Sequence, residues 1–108
     1  MYLRIINGKL KPGTWDAFEK AYRDVVGEAG AVPGLRARWL TRDVDNPDAG
    51  TTISLWESEA AMDAYENSDV LKNKINATLS PYFAGEYRTS KTRVQFADGV
   101  PPPSEWTK

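Results

Sequence analysis

Residues 14–29 read TWDAFEKAYRDVVGEA, and the spacing within this stretch decides how the rest of the chain is read. With residues set about 100° apart, Trp15, Phe18, Tyr22, Val25, Val26 and Ala29 fall within an arc of about 100°, the width of one buried helix face. Thr14 stands where an N-cap belongs, and Asp16 and Glu19 place negative charge where the helix dipole favours it. Asp16 with Lys20, and Glu19 with Arg23, are i,i+4 pairs on the opposite side. A helix over 14–29 is expected, with one face buried.

Upstream, residues 2–10 (YLRIINGKL) are rich in β-branched and aromatic types and are closed by Pro12-Gly13. They read as a strand with Leu3, Ile5 and Asn7 on one face and Tyr2, Arg4 and Ile6 on the other. Downstream, Gly30 and Pro33-Gly34 stop the helix and turn the chain. Residues 35–44 (LRARWLTRDV) read as a second strand, with Leu35, Ala37 and Trp39 opposite Arg36, Arg38 and Leu40. A turn over 45–50 leads to a third strand over 51–57 (TTISLWE), its hairpin partner. Ser58 is placed to cap a second helix carrying Ala61, Met62 and Tyr65. Asn67-Ser68-Asp69 interrupts that helix near residue 67, and Leu71, Ile75, Leu79 and Tyr82 continue its stripe up to Pro81. Residues 85–96 (GEYRTSKTRVQF) complete the pattern as a fourth strand.

The order β-α-β-β-α-β, joined by right-handed crossovers, predicts an α+β ferredoxin-like fold: a four-stranded antiparallel sheet with both helices on one face. The other face then needs cover. Tyr2, Ile6, Ala37, Trp39 and Trp56 occupy alternating positions that can form it, so a homodimer packed sheet to sheet is expected. One domain over 1–96 accounts for the pattern. The Pro-rich tail over 97–108 continues neither sheet nor helix, and reads as a frayed end or, because of Trp106, as an arm seeking a surface.

The chain has 108 residues, with 14 Lys plus Arg against 15 Asp plus Glu, a net charge of −1 and neither Cys nor His. These absences exclude a thiol nucleophile, a thiolate metal site, an imidazole base and an imidazole-held haem or zinc. A balanced charge argues against a nucleic-acid surface, and TTISLWE lacks the basic-aromatic pattern of an RNA-recognition strand. No apolar run approaches the roughly 20 residues of a membrane span. Arg4 and Asn7 interrupt the N-terminus where a signal peptide needs an apolar core, so a cytoplasmic protein is expected.

Four features carry a resemblance: Asn7 ending the first strand, the Lys11-Pro12-Gly13-Thr14 lead-in to the first helix, the Pro33-Gly34 step, and residues 53–65 (ISLWESEAAMDAY) followed by Ser68-Asp69-Val70-Leu71. A strand ending in Trp-x-Ser, a helix bearing an aromatic, then Ser-x-x-Leu resembles the antibiotic biosynthesis monooxygenase (ABM) family of small dimeric α+β barrels. The similarity spans 1–96. It implies a cofactor-independent oxygenase acting on an aromatic or quinol-like small molecule, of the kind that converts anthrones or quinols to quinones. By that resemblance Asn7, Trp56 and Tyr65 are the candidate catalytic residues, and Arg38, Arg88, Phe18 and Tyr22 the candidate substrate contacts, with no metal. An amide, an indole N–H and a phenol suffice to hold an oxyanion and handle a proton.

The family's haem-degrading members carry an axial His after the Ser-Asp-Val stretch. Here Ile75 falls in that place, and Ile cannot ligate iron. A non-catalytic dimer binding a small molecule in the same cavity is the alternative from another functional class. Each candidate also has a structural reading: Asn7 satisfying neighbouring backbone, Trp56 filling core or interface, Tyr65 packing, and the strand arginines as a solvated face.

Overall fold

A computed structural model describes residues 1–99. The elements are β1 (Tyr2–Lys9), α1 (Trp15–Ala29), β2 (Leu35–Arg42), β3 (Ala49–Trp56), α2 (Glu59–Glu66), a helical segment here called α3, and β4 (Arg88–Arg93). Within α3 the winding changes from π (Val70–Ile75) through α (Asn76–Leu79) to 3₁₀ (Ser80–Tyr82). The strands form one antiparallel sheet in the order β2-β3-β1-β4, the ferredoxin-like topology that the element order predicts. Trp106 and most of the 97–108 tail lie outside the described residues.

Local chemistry sets the boundaries. Thr14 precedes α1 but does not cap it through its side chain; its hydroxyl donates to the Lys11 carbonyl at 2.7 Å instead. Of the pairs expected on α1, Glu19 and Arg23 meet at 3.0 Å, whereas Lys20 turns to Asp24 at 2.8 Å. Ser58 caps α2, its Oγ accepting from the Ala61 amide at 3.1 Å. The break after Glu66 is made by Ser68, whose hydroxyl donates to the Tyr65 carbonyl at 2.6 Å and accepts from the Leu71 amide at 3.3 Å. Pro81 does not stop the segment; it sits inside the terminal 3₁₀ turn, near the start, where its missing N–H breaks no bond.

Two sequence expectations shorten. The second strand ends at Arg42, because Asp43 Oδ1 accepts from the amides of Asp45 and Asn46 and turns the chain. The fourth strand spans only Arg88–Arg93, because its partner β1 runs out where Tyr2 faces Arg93.

The helices cover one face of the sheet, and the core lies between. Trp56 and Met62 are its most completely buried side chains, joined by Trp15, Phe18, Tyr22, Val25, Tyr65, Leu71, Ile75 and Leu79. Each such burial contributes about 1.5–3 kcal/mol. The face assignment differs from the expectation at three residues. Trp56 is wholly buried under the helices, Tyr2 packs on the same core, and Ile6 lines the space beneath α1, so none of them belongs to the outer face. Of the five residues expected there, Ala37 and Trp39 remain, paired with Leu55 and Ile53. A bulge between Leu35 and Ala37 is the reason that Leu35 does not join them: it faces Trp56 and packs on the core.

Candidate functional site

Between the sheet and helices α1 and α3 lies a cavity of about 840 Å³, its open mouth included, within the size range of small-molecule sites. Its floor is the helix-facing row of the sheet: Arg4, Ile6 and Gly8 on β1, Arg38 and Leu40 on β2, Gly50, Thr52 and Ser54 on β3. Phe18, Tyr22 and Val26 of α1 form one wall, and Leu71, Ile75, Asn76 and Leu79 of α3 another. Tyr65 closes one end, and Trp15, Phe83 and Tyr87 the other.

The far end depends on two glycines that face each other across β1 and β3. A Cβ on Gly50 would lie 2.7 Å from the Trp15 ring, and one on Gly8 would lie 2.9 Å from the Phe83 ring. Bare backbone at both positions lets the two rings lie on the sheet.

The polar end gathers around Tyr65. Its ring stacks on Trp56 with centroids 5.0 Å apart, and the Arg4 and Arg38 guanidiniums lie 5.8 and 5.9 Å from its centroid. The two arginines differ in their partners. Arg4, although buried, is neutralised: its Nε donates to Glu66 Oε2 at 3.3 Å, and Glu66 Oε1 accepts from Lys91 at 2.9 Å. Burial opposes ionisation of Glu66, but the bonds from Lys91 and Arg4 overcome it and hold its carboxyl below the ordinary value. Arg38 has no carboxylate partner among the described residues, and its Nη2 is buried without any hydrogen-bond partner. A buried donor left unmade costs about 1–3 kcal/mol, more for a charged group.

Burial raises the pKa of Tyr65, against the pull of Arg38 and Arg4. Burial likewise pushes the Tyr22 phenol up to about 12. At neutral pH both phenols keep their protons and act as donors. Among the described residues no group of three or more His, Cys, Asp or Glu is placed to hold a metal ion.

The sequence pattern of the antibiotic biosynthesis monooxygenase (ABM) family matches residues 1–76, from β1 through the π turn. This chain belongs to the ABM family. Solved structures share the fold. A protein assigned as an antibiotic biosynthesis monooxygenase from Nitrosomonas europaea superposes with a TM-score of 0.71 at 16% identity, covering 93% of this chain and 99% of its own. A conserved protein from Methanosarcina mazei Go1 gives 0.73 at 20% identity, over 86% and 92%. A MhuD mutant carrying two manganese protoporphyrin IX per active site gives 0.76 at 19% identity, over 92% and 99%. No curated protein matches the chain.

Within this ABM fold the candidate residues separate. Tyr65, Arg38, Phe18 and Tyr22 all line the cavity. Trp56 stands behind it rather than in it, and its indole N–H is already used, donating to Ser54 Oγ at 2.8 Å. Asn7 is not brought to this site. It is exposed, its side-chain oxygen accepts from the Thr51 hydroxyl at 2.6 Å, and it borders a shallower depression with Arg88, its partner across β1 and β4. Arg88 therefore shares the surface of Asn7, not the cavity of Tyr65. Strand alternation is the cause: Asn7 points opposite to Arg4 and Ile6, and Ile6 takes the inward position. Sequence reasoning missed Arg4, Ser54, Asn76, Phe83 and Tyr87. The first two were within reach, since Tyr2 pairs with Trp56 and the alternation from Trp56 runs to Ser54 and Arg4.

Proposed function

We propose that this ABM protein is a cofactor-independent oxygenase that binds an aromatic or quinol-like small molecule in the cavity beneath α1 and α3. The observation that supports this most directly is the cavity's polarity: apolar and aromatic over most of its length, with Arg38, Tyr65 and Tyr22 gathered at one end. An electron-rich phenolate or enolate passes an electron to O₂ unaided once its oxyanion is held and water is kept away. Arg38 holds that oxygen, the Tyr65 hydroxyl donates to it, and the ring lies along Phe18, Leu71 and Ile75. For an anthrone-type methylene the overall step balances as CH₂ plus O₂ giving C=O plus H₂O, with one oxygen atom in the quinone and the other leaving in water.

The porphyrin belongs to the MhuD structure. In this chain Ile75 lines the wall of α3, and no imidazole or thiolate lines the cavity among the described residues, so no step is routed through iron. The molecule works as a homodimer in this reading, through the sheet face that carries Ala37 and Trp39. Light scattering that finds a monomer at micromolar concentration contradicts it.

The deciding experiment measures O₂ uptake on a series of anthrones and quinols with wild-type protein and with Tyr65→Phe. Uptake that depends on the protein and falls at least about tenfold in the variant supports the oxygenase. Compounds that bind without any uptake move the reading to a non-catalytic binding dimer.

A further inference from the structure

The charges around the cavity point to the form in which its ligand binds. Of the described residues lining it, the ionisable ones are Arg4 from β1, Arg38 from β2, Tyr22 from α1, Tyr65 from α2, and Tyr87. Glu66 stands behind Arg4 and is engaged by it and by Lys91. Arg42, on the outer end of β2, lies over the far side of Trp15 with its guanidinium carbon 5.0 Å from the ring. Two cations and three phenols therefore face the ligand, with the one carboxylate in the neighbourhood already committed. A neutral phenol arriving here meets no side chain able to take its proton at neutral pH, because the tyrosines hold their own. It meets one guanidinium nitrogen buried with no acceptor.

We infer that the cavity selects an acidic phenol or enol in its ionised form, the oxyanion seated on Arg38 Nη2 and the ring lying between α1 and α3. The proton is lost to the buffer rather than to the protein. Substrates of the proposed oxygenase are then compounds that ionise near neutrality by their own structure, such as phenols flanked by a carbonyl or enols of a 1,3-dicarbonyl. A simple phenol is a poor ligand. Two features make this a matter of recognition rather than of general attraction. Arg38 supplies a charge-assisted bond that no protein group now satisfies. Arg4, already paired, does not compete for the anion. The inference rests on the cavity being the substrate site, and its test uses binding alone, so its failure and the failure of turnover are separate results.

The probe is para-nitrophenol, whose phenolate and phenol absorb at different wavelengths, with para-nitroanisole as the methyl ether that cannot ionise. The expected result is that bound nitrophenol shows its phenolate band at a pH below its titration in water, its apparent pKa falling by about one unit or more. In Arg38→Gln and Arg38→Met that shift is lost and nitrophenol affinity falls by about tenfold or more, while nitroanisole affinity stays within about twofold. Retained nitroanisole binding shows that each variant still folds around the cavity. A bound probe that titrates at or above its solution value overturns the inference in the wild type alone, whatever the variants do. A shift that persists in both variants overturns the role of Arg38. Failure of either probe to bind the wild type overturns the cavity as an aromatic-anion site.

Discussion

Replacing Glu66 with Gln tests the charge arrangement of the cavity without touching its lining. The carboxylate is three-quarters buried, accepts from Arg4 Nε at 3.3 Å and from Lys91 Nζ at 2.9 Å, and is the group that neutralises Arg4. Glutamine keeps the shape and one acceptor but removes the charge, leaving the buried Arg4 unneutralised on the same side of the sheet as Arg38. A hydrogen bond to a charged group contributes about 1.5–3 kcal/mol. At 3.3 Å, and with solvent reaching the Glu66 side, about 1–2 kcal/mol is the fitting range for the Arg4 contact. In urea, with a slope of about 1–2 kcal/mol/M for a chain of this size, that lowers the unfolding midpoint by roughly 1 M.

The pH dependence carries the sharper test. The folded carboxyl titrates below its ordinary value of 4.5, so its stabilisation is fully present above that value and is lost as pH falls through the folded pKa. The gap between wild type and Glu66→Gln is therefore constant at neutral pH and closes in acid, as the wild-type carboxyl takes up its proton. Equilibrium unfolding at pH about 7 and at successive steps below pH about 4 measures it. Affinity for phenolate probes should rise in the variant, since a second guanidinium becomes free to meet them. A variant as stable as wild type at neutral pH, or a gap that survives unchanged in acid, would refute the pairing of Arg4 with Glu66 and with it the view that Arg38 alone is open to a ligand.

Other outcomes follow from the same contacts. Asn7→Ala should leave ligand affinity in the cavity within about twofold of wild type, because Asn7 lies on the opposite sheet face; a large loss by fluorescence titration would return Asn7 to the site. Ser54→Ala strips the only printed partner from the buried Trp56 indole N–H, so thermal or urea unfolding should show a loss of about 1–3 kcal/mol. Met62→Ala opens a void in the core where the side chain is 2% exposed, and should cost about 2–5 kcal/mol by the same measurement. Gly50→Ala brings a methyl within 2.5 Å of the Thr41 carbonyl and 2.7 Å of the Trp15 ring. It should cost about 1–3 kcal/mol and alter the near-ultraviolet dichroism of the displaced indole.

Periodicity carried the fold because each element repeats its own signal. The first helix announced its buried face at six positions, and Trp15, Phe18, Tyr22 and Val25 are indeed the residues it buries. The site was less legible, for two physical reasons. A strand's period of two separates its faces cleanly but does not say which face the helices cover, so Trp56 and Ile6 were placed outward when they belong inward. The same alternation already set Asn7 opposite Tyr2, the residue that pairs with Trp56, so the two could not meet at one ligand atom. Arg38 and Arg4 looked like an ordinary solvated row. Whether a strand arginine is solvated or buried depends on what packs above it, which only the assembled layers decide. That Trp56 would give its N–H to Ser54 was present in the spacing, two residues apart on one face, but a tryptophan at a strand end carries no mark of how its donor is used.

The π turn of Val70–Ile75 closes on a bond from the Asn76 amide to the Leu71 carbonyl, one residue more than an α turn encloses. That surplus residue phases everything after it. Asn76 and Leu79 face the cavity because the count of residues before them is what it is. Deleting one residue from the exposed stretch Lys72-Asn73 would let the segment relax to α winding and swing those side chains by about 100°. Point substitutions repaint this wall one group at a time, whereas a single-codon deletion or insertion rotates it whole. In a lineage of such proteins, changes in helix length at this turn are then a faster route to a new ligand than changes in the residues that touch it.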